Sequence, residues 1–185
     1  RGRAASGSGG PVTTTQELVN RSLRRHAHRT AVVDEGRRLT YAQLDLRSRQ
    51  LDRVLRDTGC GDTVPVALYL PDCSEYLEAD VATGRAGILR VGIGERLSAD
   101  EVEYIVADSG AAVVITTTDL LERLRSGGAQ LPRVVTVGEE YEALLADAQD
   151  DEAWRTAAPD DAAYLMYTSG TTGRPKGATH TQRGR

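Results

Sequence analysis

Three tetrads of the form Ser/Thr-x-x-Glu/Gln, Thr14 to Glu17, Thr40 to Gln43 and Ser98 to Glu101, punctuate the chain as helix-start signals. Leu18, Val19 and Leu23 follow the first, and Leu44, Leu51 and Leu55 form one helical face after the second. Gly59 and Gly110 suit the ends of the second and third helices. Further helices are predicted from Asp72 or Ser74 to Ala86, from Asp119 to Arg125 and from Glu140 to Ala148. Short apolar runs separate them, at Val64–Leu70, Gly87–Val91, Ala111–Thr116, Arg133–Val137 and Ala163–Tyr167, and read as strands. Pro65 must sit at the start or on an edge of the first run, because it cannot donate to a sheet ladder. Asp34-Glu35-Gly36 marks the turn of a short hairpin. Strand and helix in alternation predict an α/β fold, a mostly parallel sheet with helices on both faces. No internal repeat is visible, and 185 residues suit about one domain.

The last strand-like run enters the segment Tyr167-Thr168-Ser169-Gly170-Thr171-Thr172-Gly173-Arg174-Pro175-Lys176-Gly177. It holds three glycines, four hydroxyl side chains from Thr168 to Thr172, and the only lysine of the chain; the other 22 of 23 basic residues are arginines. Glycines let successive backbone N–H groups turn inward as an anion-binding concavity. Hydroxyls add rotatable donors, and a lysine adds a compact positive charge. One ion pair at contact distance is worth roughly 4 kcal/mol at an effective dielectric of about 20. A mobile surface linker would need neither the preceding strand nor the Pro-Lys ending. The P-loop is excluded by spacing, since Pro175 precedes Lys176 and Gly177 follows it where that motif requires Gly and then Ser or Thr. The segment is a phosphate loop of another type, leaving a buried strand where open α/β sheets place ligands.

Met166 through Gly177 resembles the ATP-phosphate signature of the adenylate-forming enzymes: acyl- and aryl-CoA ligases, the adenylation domains of non-ribosomal peptide synthetases, and luciferases. Ala31 to Leu44 is similar to that family's opening hairpin and helix start. Ile105 to Ile115 is similar to its helix-to-strand unit, and Pro159-Asp160-Asp161 to its acidic leader, so the likeness runs from about Thr15 onward. Two positions depart from the family pattern. Val91 to Arg96 lacks the usual proline at a strand exit, and Thr181-Gln182 stands where Thr/Ser-His is frequent.

The resemblance implies ATP-dependent activation of a small-molecule carboxylic acid as an acyl-adenylate, then transfer to a thiol of CoA or pantetheine. It implies that Thr168, Ser169, Thr171 and Thr172 donate to the β- and γ-phosphates, that Gly170, Gly173 and Gly177 permit close backbone approach, and that Lys176 neutralises the departing pyrophosphate. Thr171-Thr172 leans towards CoA ligases; the Gly/Ser-rich start, as an interdomain linker, leans towards peptide-synthetase adenylation domains. A Mg²⁺-linked glutamate, an acyl-pocket segment, a ribose-binding aspartate and a mobile C-terminal domain with an adenylation lysine belong to the family but not to these residues. The sequence therefore reads as residues 1–13, a disordered tail or linker, and residues 14–185, the N-terminal portion of an AMP-binding domain's large part, expected to be inactive alone. The competing reading from another class is a non-catalytic nucleotide-binding or split module.

A net charge of −4 gives no reason to expect nucleic acid or an anionic membrane as partner, and no apolar run is long enough to span a bilayer. The first residues lack a signal peptide's apolar core, and Cys60 and Cys73 form no C-x-x-C pair, so reduced thiols in a cytoplasmic protein are expected. The basic stretch Arg21, Arg24, Arg25, His26, His28 and Arg29 reads as a solvated helix face, and the acidic stretch from Glu139 to Asp161 as a solvated linker. Asp160 and Asp161 are expected to point away from the phosphates. His180 could serve as a general base, but packing against or capping a helix after the loop is the simpler expectation.

Overall fold

All three tetrads fold as reciprocal caps. The Thr14 N–H donates to Glu17 Oε2 at 3.0 Å and the Glu17 N–H returns to Thr14 Oγ1 at 3.1 Å. Thr40 with Gln43, and Ser98 with Glu101, repeat the exchange. They open α1 (Thr15–Arg25), α2 (Tyr41–Asp57) and α4 (Ala99–Ser109). The structure, a computed structural model, describes residues 13–34, 36–149, 156–168 and 174–183. Between these helices lie β1 (Thr30–Asp34), β2 (Arg37–Thr40), β3 (Val66–Tyr69), α3 (Ser74–Ala86) and β4 (Arg90–Gly92). The remainder is β5 (Val113–Thr116), α5 (Thr118–Ser126), β6 (Arg133–Thr136), α6 (Glu139–Asp147), β7 (Ala162–Thr168) and β8 (Lys176–Thr181).

Six strands form the main sheet in the order β6-β5-β3-β4-β7-β8, every pair parallel except the antiparallel β7–β8. β1 and β2 form a separate hairpin. Strand alternation divides the core into two layers. Val66 and Leu68 of β3, with Val113 and Ile115 of β5, pack under α2, α3 and α6. Ala67 and Tyr69, with Val114, pack against α4 and α5 on the other face. The expected α/β architecture with helices on both faces is the one observed. Leu51, Leu55, Leu68 and Ile115 are almost wholly buried, each worth about 1.5–3 kcal/mol relative to exposure. A smaller core under the hairpin joins Leu23, Val32, Leu39 and Leu44.

Pro65 stands just before β3, so this central strand keeps all its ladder donors, and the Pro65 carbonyl accepts from Ala112 N–H at 3.0 Å. A buried charge network joins three helices and the hairpin. The fully buried Glu78 carboxylate accepts from Arg47 Nε at 2.7 Å, Arg37 Nη2 at 3.2 Å and the Tyr141 hydroxyl at 3.0 Å.

Four expectations need correction. The strand after Gly87 starts later, at Arg90, because Gly87 takes the left-handed conformation that ends α3. The stretch from Glu139 is not a solvated linker at its start: it forms α6, as the Glu140–Ala148 helix reading predicts, with Tyr141 and Leu145 in the core and Glu142 paired with Arg47. β7 is half-exposed, not buried: of its seven residues only Ala163 is buried. Residues 176–181 form β8, so His180 caps no helix. Residues 1–12, expected as a tail or linker, and Trp154 and Arg155 of the acidic stretch lie outside the described residues.

Candidate functional site

The two arms of the Gly/Thr segment are neighbouring strands. β7 ends at Thr168 and β8 begins at Lys176, and these two residues are paired across the ladder. β7 runs parallel to β4, so Thr168 lies at the carboxyl end of the parallel strands, where such sheets place ligands. Thr168 and Lys176 are both exposed. The Lys176 ammonium has no carboxylate partner among the described residues, which leaves its charge available to an anion. Ser169, Gly170, Thr171, Thr172 and Gly173 lie outside the described residues.

Beside this end of β7 opens a cleft of about 420 Å³, lined among others by Asp72, Tyr76, Arg90, Gly94, Tyr164 and Met166. Met166, 48% exposed, lies on its wall. Arg90 is held by Asp80, with Nε 2.5 Å from Oδ1, and its guanidinium lies 4.9 Å from the centre of the Tyr164 ring. His180 stacks on the same Tyr164, ring centres 4.3 Å apart and nearly parallel. Its position is accounted for by this stacking.

The second arm is shaped by a side chain the sequence did not single out. A Cβ at Gly177 would come within 2.9 Å of Tyr167 Cζ, so the glycine makes room for the Tyr167 ring. The close approach at this glycine is thus aromatic. The Tyr167 hydroxyl donates to Asp108 Oδ2 at 2.7 Å, and burial together with that carboxylate raises the phenol's pKa. Asp108 lies one turn after Tyr104 on α4, and the Arg174 guanidinium sits 5.2 Å over the Tyr104 ring. The spacing was the available signal: Val102, Ile105 and Val106 are buried, which leaves Tyr104 and Asp108 on the outward face.

The strand exit after β4 is held without the proline. Arg123 Nη2 donates to the Tyr69 hydroxyl and to the carbonyls of Glu95 and Leu97, and the Tyr69 hydroxyl donates to Glu95 O at 3.2 Å. Gln182 also has a structural explanation. It is buried, accepts from the Gln16 N–H through Oε1 at 3.2 Å, and takes the Thr15 N–H on its carbonyl at 2.9 Å, so it pins the first turn of α1. Asp160 pairs with Arg183 and Asp161 accepts from the Ala158 N–H. Cys60 and Cys73 are free, and burial holds both thiols above their ordinary pKa. Among the described residues no group of three His, Cys, Asp or Glu converges as a metal site, and no helix is long and apolar enough to cross a membrane.

Residues 19–185 match the family described as AMP-binding enzyme. The chain is 40% identical over 162 residues to feruloyl-CoA synthase of an Amycolatopsis species, a match spanning 87% of this chain and 32% of that protein. It is 32% identical over 171 residues to phosphinothricin tripeptide synthetase PhsC of Streptomyces viridochromogenes, spanning 92% of this chain and 16% of the relative. Its fold superimposes on the anthranilate CoA ligase AuaEII, determined with anthranoyl-AMP, with a TM-score of 0.82 at 26% identity, over 94% of this chain and 35% of that one. The chain therefore spans about a third or less of the length of these relatives.

Proposed function

The chain belongs to the AMP-binding enzymes, the adenylate-forming superfamily, and from that premise we propose that it is part of a carboxylic acid–CoA ligase. The observation that carries the reading is the exposed Lys176, without a carboxylate partner among the described residues, directly across the ladder from Thr168, at the carboxyl end of β7 and beside an open cleft. ATP fits such a place. Lys176 supplies an ammonium to its phosphates and Thr168 a hydroxyl donor, with Ser169, Thr171 and Thr172 as further donors. In the reaction a substrate carboxylate oxygen forms a bond to the α-phosphorus while the α–β phosphoanhydride bond breaks. Negative charge then grows on the departing pyrophosphate. A fixed cation there stabilises that charge more than it stabilises bound ATP, which is what accelerates the step. The acyl group then passes from the adenylate to the thiol of CoA, releasing AMP. Among the described residues no group of three His, Cys, Asp or Glu gathers, so none of them is assigned to Mg²⁺.

The CoA reading is supported by the 40% identity to a CoA synthase and by Thr171-Thr172. The alternative acceptor is the carrier-bound thiol of a peptide synthetase, supported by the tripeptide synthetase relative. The gene-encoded protein should catalyse carboxylate-dependent ATP–pyrophosphate exchange, and CoA should draw the adenylate on to a thioester. Lys176→Ala should lower kcat/KM for ATP about 10–100-fold, or about 1.4–2.8 kcal/mol, with unchanged thermal stability. An unaltered ATP-dependent rate refutes the role of Lys176. Exchange that CoA does not intercept, but a carrier-protein thiol does, favours the alternative.

A further inference from the structure

The two arms flanking the phosphate segment are both tied to one helix that carries none of the residues assigned to ATP. On α4, Tyr104 and Asp108 stand one turn apart on the outward face, joined by a hydroxyl-to-carboxylate contact of 3.4 Å. Asp108 takes the Tyr167 hydroxyl at 2.7 Å, which fixes the phenol ring at the end of β7. That ring fills the space left at Gly177, the residue after Lys176. Arg174, two residues before Lys176, sits over Tyr104. Lys176 is held by its ladder pairing with Thr168, and the residues flanking it on both sides, Arg174 and Gly177, meet side chains that α4 holds, Tyr104 directly and Asp108 through the Tyr167 ring.

We propose that Asp108 is a positioning residue: through the Tyr167 phenol and its ring against Gly177 it sets where Lys176 and Thr168 stand, with Tyr104 holding Arg174 in support. The inference rests on the ATP reading of Lys176. Asp108 touches no substrate. It acts by converting a two-stranded arm into one seated on a helix, so that Lys176 meets the phosphates without first being ordered.

The test uses the gene-encoded protein with Tyr167→Phe, Asp108→Ala, Asp108→Asn and the double variant Tyr167→Phe/Asp108→Ala. The KM for ATP should rise about fivefold in Tyr167→Phe and in Asp108→Ala, the worth of one solvent-accessible hydrogen bond. The KM for the carboxylic acid should not move. Asp108→Asn keeps an acceptor oxygen and should restore most of the loss. The double variant should be no worse than either single one, since both remove the same bond. Independently of activity, a protease specific for lysine reports the anchoring, because Lys176 is the only lysine among these residues. Cleavage after Lys176, followed by mass, should accelerate about fivefold in the same variants, since cutting needs local opening. Unchanged cleavage overturns the tie whatever the kinetics show. Faster cleavage with an unchanged KM for ATP, or with the acid's KM rising equally, overturns the positioning role. A parent protein lacking any ATP-dependent exchange refutes the functional reading and, with it, the ATP half of this proposal, while the cleavage rates still decide whether the tie exists.

Discussion

Gly177→Ala should destabilise the protein, and for a reason located in one side chain. The added methyl would lie 2.9 Å from Cζ, 3.2 Å from Cε2 and 3.2 Å from the hydroxyl oxygen of Tyr167. Carbon atoms do not pack at such separations, so the ring must move by several tenths of an ångström. It is not free to do so cheaply: its hydroxyl is bonded to Asp108 and its body packs with the α4 and α5 layer. Overpacking of this kind costs about 1–3 kcal/mol. Against it stands the entropy that Ala saves over Gly in a strand, about 0.5–1 kcal/mol, because Gly177 is not among the glycines with positive φ. The net loss should be up to about 2.5 kcal/mol and centre near about 1, which lowers Tm by roughly 2–4 °C per kcal/mol in a chain of this size. The same substitution in a Tyr167→Ala background meets no ring. There it should be neutral or stabilising by about 0.5–1 kcal/mol, so the sign of the effect reverses. Denaturant or thermal unfolding of the four proteins measures the cycle. An equal loss in both backgrounds would refute the argument and place the need for glycine in the backbone.

Removing the carboxylate at the centre of the helical layer should be severe. Glu78→Ala leaves Arg37, Arg47 and the Tyr141 hydroxyl without their shared acceptor and should cost about 3–5 kcal/mol, read as a lower urea midpoint, with Glu78→Gln falling between. Alkaline pH should unfold the protein in a tyrosine-dependent way. Burial, and then the neighbouring Glu78, push the Tyr141 phenol well above its ordinary pKa, so the unfolded chain loses that proton first. Stability from this group is complete below about pH 10 and declines above it by up to about 1.4 kcal/mol per pH unit, a slope that Tyr141→Phe should reduce. A Tyr141→Phe protein with the parent's alkaline slope would refute the assignment.

Local signals were the most legible part of the fold. Each capping tetrad carries its donor and acceptor within four residues, so Thr14, Thr40 and Ser98 could be read without tertiary knowledge. The parallel sheet followed because helices separate consecutive strands. What escaped were long-range facts. Nothing near Gln182 announces that it pins α1, because its partners lie 166 residues away in sequence. The apolar run ending in Tyr167 suggested a buried strand, but period-2 alternation cannot tell how many elements cover a strand's two faces. The glycine and threonine pattern suggested a phosphate segment, yet it concealed that Gly177 answers to an aromatic ring. Asp108 was visible only as part of a helix-to-strand unit; its meaning depends on which strand packs beside α4.

The near-exclusive use of arginine now has a physical sense alongside the single lysine. Arg47 grips Glu142 with two nitrogens at 2.7 and 2.9 Å while its Nε reaches Glu78. Arg85, almost wholly buried, meets the Asp45 carboxylate and carbonyl and the Ser48 hydroxyl through one nitrogen. Arg123 closes a strand exit on backbone carbonyls, and Arg90 and Arg174 lie over tyrosine rings. These contacts use the guanidinium's several donors or its flat face, which suit fixed partners and lose little freedom per bond formed. Lys176 has none of these engagements among the described residues and stays exposed at the mouth of the sheet. An ammonium on a flexible stem suits a partner that arrives, changes charge during reaction and departs. These arginines thus hold the fold through several donors each, whereas the proposed phosphate role of Lys176 asks only for a single charge at the mouth of the sheet.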